Sequence, residues 1–138
     1  MSITENVKKL SDIKETFQLF SDSLDMISYL IDIGKKSHNI TDEEKTDNNI
    51  ISGCTSKAWI VVTKLSDDTY YMKTDSDSHI VSGLLYLLCL STNNKSKDYI
   101  DTIDGSEILN SIGLDGKITS QRTNGFLSAV QTLKERIN

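Results

Sequence analysis

Proline is absent from this 138-residue chain, which removes interior kinks without favouring any one fold. Cysteine is scarce: Cys54 and Cys89 stand 35 positions apart. In a chain without a secretory signal both are expected to stay reduced, so each thiol is judged on its own surroundings. Basic charge is also short. Fifteen lysines and arginines face 20 acids, for a net charge of -5, and no stretch gathers the cations into a stripe that could track phosphates, which argues against nucleic acid. Long apolar runs are missing too. The strongest, Ile80 to Leu90, is broken by Ser82 and Gly83 and falls far short of the roughly 20 residues that span a bilayer. The opening MSITENVKKLSDIKE places acids and polar residues where a secretory signal needs an apolar stretch, and it lacks the arginine-rich look of a transit peptide, so a cytoplasmic location is expected. The common enzymatic signatures are absent as well: no phosphate-cradling glycine loop, no histidine pair at metal spacing, no CxxC, no GxSxG elbow.

What is present suits one folded domain over residues 1–138. The chain is 37% hydrophobic and 25% charged, and at this length it can bury roughly two thirds of its unfolded surface. Val7, Leu10, Ile13, Phe17 and Phe20 recur at helical spacing, which predicts an opening helix with one apolar face. Ser21 or Asp22 can cap a second helix carrying Leu24, Ile27, Leu30 and Ile31 and ending at Gly34, so the two are expected to form a hairpin. A polar stretch from Ser37 to Asn49 reads as a loop with one helical turn at Asp42 to Lys45. Branched and aromatic residues from Ala58 to Leu65, a turn at Ser66 to Thr69 and a second run from Tyr70 to Lys73 predict a β-hairpin. Ser78 can cap an apolar helix from His79 to Leu90 that packs on this sheet. Two short helices, Ser96 to Thr102 and Ser106 to Ile112, precede a last helix capped by Thr119 or Ser120, with Phe126, Leu127, Val130, Leu133 and Ile137 inward. The expected class is α+β, a small antiparallel sheet covered by helices.

Three features could carry chemistry. Asn49-Asn-Ile-Ile-Ser-Gly53-Cys54-Thr-Ser56-Lys-Ala-Trp59 sets a cysteine after glycine, between a polar loop and a strand, where a turn can lift the sulfur toward a partner. Lys57 or backbone N–H groups in the turn would favour the thiolate that attacks a sulfur–sulfur bond. The alternative is a small apolar residue tucked into the core. Cys89, among Leu85, Leu87, Leu88 and Leu90, reads as core packing. The second feature is Asp75-Ser76-Asp77-Ser78, whose acids suit a helix N-terminus and could be purely structural. The third is Thr119-Ser-Gln-Arg122-Thr-Asn-Gly125, where Arg122 could fork onto a carboxylate or stay solvated. His38 and His79 are isolated in sequence, and His79 reads as an ordinary first-turn residue.

Taken in order, Asn49-x-Ile51-x-Gly53-Cys54-x-Ser56-x-x-Trp59, Asp75-Ser76-Asp77-x-x-Ile80-Val81-x-Gly83-Leu84 and Thr119-x-x-Arg122-x-x-Gly125, with Tyr29-x-x-x-x-Gly34 upstream, resemble the SufE family of sulfur acceptor proteins from about residue 12 onward. The resemblance implies an α+β fold shared with IscU-type scaffolds. It further implies that Cys54 accepts sulfur as a persulfide from a SufS-type cysteine desulfurase, stimulates that enzyme and delivers sulfur to iron–sulfur cluster assembly, with a downstream scaffold as a second partner. Gly53 and Ser56 would form the turn presented to the desulfurase, and Asp77 and Arg122 would serve conformational or interface roles. The chain would be a cosubstrate and activator, not an autonomous enzyme, and would need no cofactor of its own, since the pyridoxal phosphate belongs to the desulfurase. An iron–sulfur scaffold or a non-catalytic adaptor are the alternatives. A scaffold would need several thiolate ligands, where this chain offers one plausible candidate.

Overall fold

The computed structural model describes residues 10–38, 40–53 and 56–138. Two helices, α1 (Leu10–Gln18) and α2 (Ser23–Lys35), open the described chain and meet where Phe17 packs edge-on against Tyr29. Ile13 and Phe17, four apart on α1, are fully buried, while Val7 lies outside the described residues. Asp22 caps α2 by accepting the Leu24 N–H at 2.9 Å.

The inner face of α2 departs from the expected one. Its buried stripe is Met26, Leu30 and Gly34, and Leu24 is 74% exposed. The reason lies in the next long helix, α3 (His79–Thr92). A Cβ on Gly34 would stand 1.8 Å from the His79 carbonyl oxygen, and one on Gly83 would stand 2.4 Å from the Leu30 carbonyl oxygen. The two backbones therefore pack almost in contact, and only glycine at both crossing points permits it. That crossing fixes which side of α2 turns inward.

Strands β1 (Ala58–Lys64) and β2 (Thr69–Ser76) pair antiparallel, with Ala58 opposite Ser76 and Lys64 opposite Tyr70. β2 runs three residues past the expected Lys73, because Thr74, Asp75 and Ser76 face Ile60, Trp59 and Ala58 across the ladder. Asp75 is thus a strand residue and no part of a helix cap. The cap of α3 is Ser78, whose hydroxyl accepts the Val81 N–H. A two-residue strand β3 (Lys95–Ser96), unannounced by the sequence, adds to the other edge of β2. There the Asn93 side-chain amide extends the edge, taking the Met72 N–H at 2.7 Å.

Alternation along the hairpin sends Ala58, Ile60 and Met72 into one apolar core with Leu84, Leu87 and Leu88 of α3. Two short helices, α4 (Lys97–Asp101) and α5 (Gly105–Ile112), lead to α6 (Ser120–Arg136). α6 is capped by Thr119 and buries Phe126, Ala129, Val130 and Leu133, while Leu127 sits at the margin of the core. The opposite face of the hairpin, with Trp59, Lys73 and Asp75, is covered by the polar segment that precedes the cysteine.

Candidate functional site

Cys54 lies outside the described residues, as does Thr55; the segment on either side of it is described and is held at both ends. On the approach, Ile50 bridges to Trp59 on the free edge of β1. The Ile51 N–H donates to the Ala58 carbonyl at 2.8 Å, and Arg136 of α6 donates to the Ile50 carbonyl at 3.4 Å. On the return, the Lys57 carbonyl accepts two donors, the Asp77 N–H at 3.0 Å and the Ser76 hydroxyl at 2.7 Å. The described chain on either side of Cys54 and Thr55 is thus fixed, at Ile51 on the approach and at Lys57 on the return. Gly53 has φ +84°, in the left-handed region, and a Cβ there would come 2.7 Å from the Ser128 hydroxyl of α6. This backbone conformation favours glycine before the cysteine.

The upstream segment is tied to the same place. Asp75, 3% exposed, points to the outer face of the sheet. One of its carboxylate oxygens pairs with His38 Nδ1 and the other lies 3.3 Å from Lys45 Nζ. Lys45 also sits 5.2 Å over the Trp59 ring. Next to it, Glu44 accepts the Thr41 N–H at the start of a 3-10 turn, Asp42–Glu44, and bonds Lys73 Nζ through both oxygens at 3.0 Å. The Lys73 ammonium and the Thr41 N–H hold Glu44 below the usual carboxylate range. A second 3-10 turn, Asp47–Asn49, completes the segment.

Two sequence expectations are corrected here. Asp75 is a buried anchor for His38 and Lys45 and no complement to a helix dipole. His38 is not isolated, since it pairs with Asp75 and its ring meets that of His79 at 5.7 Å; the two are 41 positions apart in sequence. Removing the Asp75 carboxylate leaves His38 and Lys45 without their shared partner. Because His38 and Lys45 are 37% and 30% exposed and can rehydrate, the expected cost of Asp75→Ala is about 2 kcal/mol. Urea unfolding checks this, with Glu44→Ala, whose carboxylate is 28% exposed against 4% for Asp75, as the milder comparison.

Consecutive residues of one motif therefore serve opposite ends of the cysteine segment. Asp75 holds the incoming chain through His38 and Lys45, and Ser76 with the Asp77 N–H holds the outgoing chain at Lys57. The Asp77 side chain is exposed, beside the outgoing foot, and bonds no described residue. Ser56 is half-buried. Arg122 occupies the first turn of α6, its N–H bonded to the Thr119 hydroxyl; its Nε is buried and has no hydrogen-bond partner among the described residues. Lys57 contributes its carbonyl to the hold, and its ammonium joins no ion pair among the described residues. Cys89 is 6% exposed on α3, its sulfur 3.5 Å from the Thr74 hydroxyl, and burial pushes its thiol up to about 11. Sequence reasoning missed Ser128, Arg136 and Lys45, whose partners lie distant in the chain; for Ser76 the signal was its place between the two acids. Among the described residues no group of three or more His, Cys, Asp or Glu side chains is placed to hold a metal ion. No helix there is long and apolar enough to cross a membrane.

A helix-covered antiparallel sheet defines a small α+β domain. The chain belongs to the SufE family: the family profile described as "Fe-S metabolism associated domain" matches residues 11–137, which places it in iron–sulfur metabolism. An uncharacterized SufE-like protein of Rhizobium etli is 33% identical over 129 residues, covering 91% of this chain and 87% of the relative. Another, from Haemophilus influenzae, is 27% identical over 110 residues, covering 80% and 87%. Among solved structures, a hypothetical protein from Thermus thermophilus superposes with a TM-score of 0.71 at 14% identity, over 93% of this chain and 92% of the other. That likeness shows the fold.

Proposed function

We propose that Cys54 accepts a sulfur atom as a persulfide from a SufS-type cysteine desulfurase in the cytoplasm and passes it toward iron–sulfur cluster assembly. The observation that carries this reading is the double hold on the cysteine segment. Asp75 fixes the chain leading in, Ser76 and the Asp77 N–H fix the chain leading out, and only the residues around Cys54 stand between. A rigid frame around a short excursion suits a nucleophile that must enter another protein's active site.

The chemistry is thiol–disulfide exchange with sulfur as cargo. The Cys54 thiolate attacks the terminal sulfur of the persulfide on the desulfurase cysteine. A new S–S bond forms on Cys54, the old S–S bond breaks, and the desulfurase cysteine leaves as a thiolate that takes up a proton. There is no net oxidation. The carbon–sulfur cleavage that loads the desulfurase is the work of its own pyridoxal phosphate. By accepting the sulfur, this chain clears the desulfurase for another turnover, so it acts as cosubstrate and activator. A downstream cluster scaffold is the natural recipient.

In this reading Gly53 and Ser56 shape the presented turn, while the exposed Asp77 and the half-buried Arg122 contribute to docking or to positioning that turn. Cys89, buried and protonated, supplies no second thiolate, which supports a carrier over a cluster scaffold. Intact mass measured after incubation with a desulfurase and L-cysteine tests the proposal. The expected result is a gain of about 32 Da, the mass of one sulfur, on Cys54, reversed by dithiothreitol as a sulfinic acid of the same nominal mass would not be. A chain that stays at its starting mass while the desulfurase is visibly turning over would overturn it.

A further inference from the structure

The hold on Lys57 involves a residue to which neither the motif resemblance nor the family description gives a role. Ser76 is the last residue of β2, 5% exposed, and its hydroxyl is used twice. It donates to the Lys57 carbonyl at 2.7 Å and accepts the Ser78 N–H at 3.1 Å. Its main chain is fixed as well, the N–H by the Asp75 carboxylate at 2.8 Å and the carbonyl by the Ser82 hydroxyl of α3 at 3.2 Å. One buried hydroxyl thus joins the foot of the cysteine segment, three residues after Cys54, to the N-terminus of the most deeply buried helix. A buried hydroxyl with both donor and acceptor engaged has a single orientation, so it transmits the rigidity of the core to whatever it binds. On the other side of Cys54, Gly53 rests against Ser128 of α6, so the excursion is backed by two helices.

We infer that Ser76 is a positioning residue for sulfur transfer: its hydroxyl sets where the Cys54 segment leaves the sheet, and so how the sulfur is presented to the partner, without altering the thiol's own acidity. This rests on the carrier reading above. Ser76 does not touch the sulfur in the role assigned to it, and the Asp77 N–H remains on Lys57 when the hydroxyl is removed. The loss should therefore be partial and local. Breaking one ordinary hydrogen bond corresponds to roughly a fivefold change in the equilibrium it supports.

The test compares the full chain as wild type, Ser76→Ala and Ser76→Thr, the last keeping a hydroxyl in a strand position that tolerates branching. Hydrogen exchange should speed up roughly fivefold for amides of residues 52–57 in Ser76→Ala, with α2 and α6 unchanged. Single-turnover sulfur transfer from a persulfide-loaded desulfurase should slow by a similar factor, while the pH midpoint of Cys54 alkylation by iodoacetamide stays put. Ser76→Thr should restore both rates. Transfer by Ser76→Ala within twofold of wild type would overturn the inference, as would exchange rising evenly over the whole domain, a shifted alkylation midpoint, or a threonine variant that folds but restores neither rate. If the wild type itself accepts no sulfur, the carrier reading has failed. The local exchange then still decides whether Ser76 anchors this segment, since that measurement needs no partner.

Discussion

Cys54→Ser is expected to abolish both sulfur acceptance and stimulation of the desulfurase, while Cys89→Ala leaves both within about twofold. For Cys89 the expectation follows from where its sulfur sits. Cys89 is 6% exposed against the sheet, and its thiol is pushed up to about 11 by burial. At pH 7 it is ionised to roughly one part in ten thousand, and it cannot reach a partner protein without unfolding α3. Replacing it with alanine removes one sulfur from a packed helix, a loss of about 1 kcal/mol that stability assays will register and transfer assays will not. Cys54 belongs to a segment whose neighbours, Gly53 and Ser56, are exposed and half-buried. Serine keeps its size and removes the sulfur on which the proposed S–S bond forms. Desulfurase turnover with each variant, together with intact mass, separates the outcomes. A Cys54→Ser protein that still gains sulfur would move the site to Cys89 and dismantle the carrier assignment.

The largest structural effect is expected at the crossing of α2 and α3. Gly34→Ala places a methyl carbon 1.8 Å from the His79 carbonyl oxygen, and Gly83→Ala places one 2.4 Å from the Leu30 carbonyl oxygen. Both obstacles are backbone, so no side-chain rotation relieves them; the helices must move apart. The separation would open the contact of Leu30 with α3 in the centre of the core. A cost on the order of 3 kcal/mol is expected for each substitution, against the small gain in helix propensity that alanine brings elsewhere. For a domain of this size that lowers the thermal midpoint by roughly 10 °C. Calorimetry of the two variants checks it, and an unchanged midpoint in either would mean that the crossing has room the geometry does not show. The double variant should cost less than the sum, because one displacement of α2 clears both contacts.

Much of this was legible in the chain. Apolar spacing located α1, α3 and α6, and capping residues fixed several of their starts, Thr119 and Ser78 among them. The α2 face was only partly legible, because Leu24, Ile27, Leu30 and Ile31 share just Leu30 with the buried stripe of Met26, Leu30 and Gly34, and the choice rests on a glycine 49 positions away from Gly34, at 83. The end of β2 was missed since the polar run Asp75-Ser76-Asp77-Ser78 reads locally as a loop before a helix; pairing with Trp59 and Ala58 carries Asp75 and Ser76 into the strand. The candidate site was readable as three separate motifs, but not the way in which the second holds both ends of the first. His38 and Lys45 reach Asp75 across 37 and 30 positions, and periodicity says nothing about contacts of that kind.

The bridge of Ile50 to Trp59 has a further consequence. β1 is an outer strand of the sheet, and an outer strand offers unpaired peptide groups on which another chain can stack. By running along that border before it turns toward the cysteine, the incoming segment occupies the end of β1 nearest the site with its own hydrogen bonds. The stretch that leads to Cys54 thereby guards this border against self-association, so loosening it risks dimers and aggregates before it costs the fold.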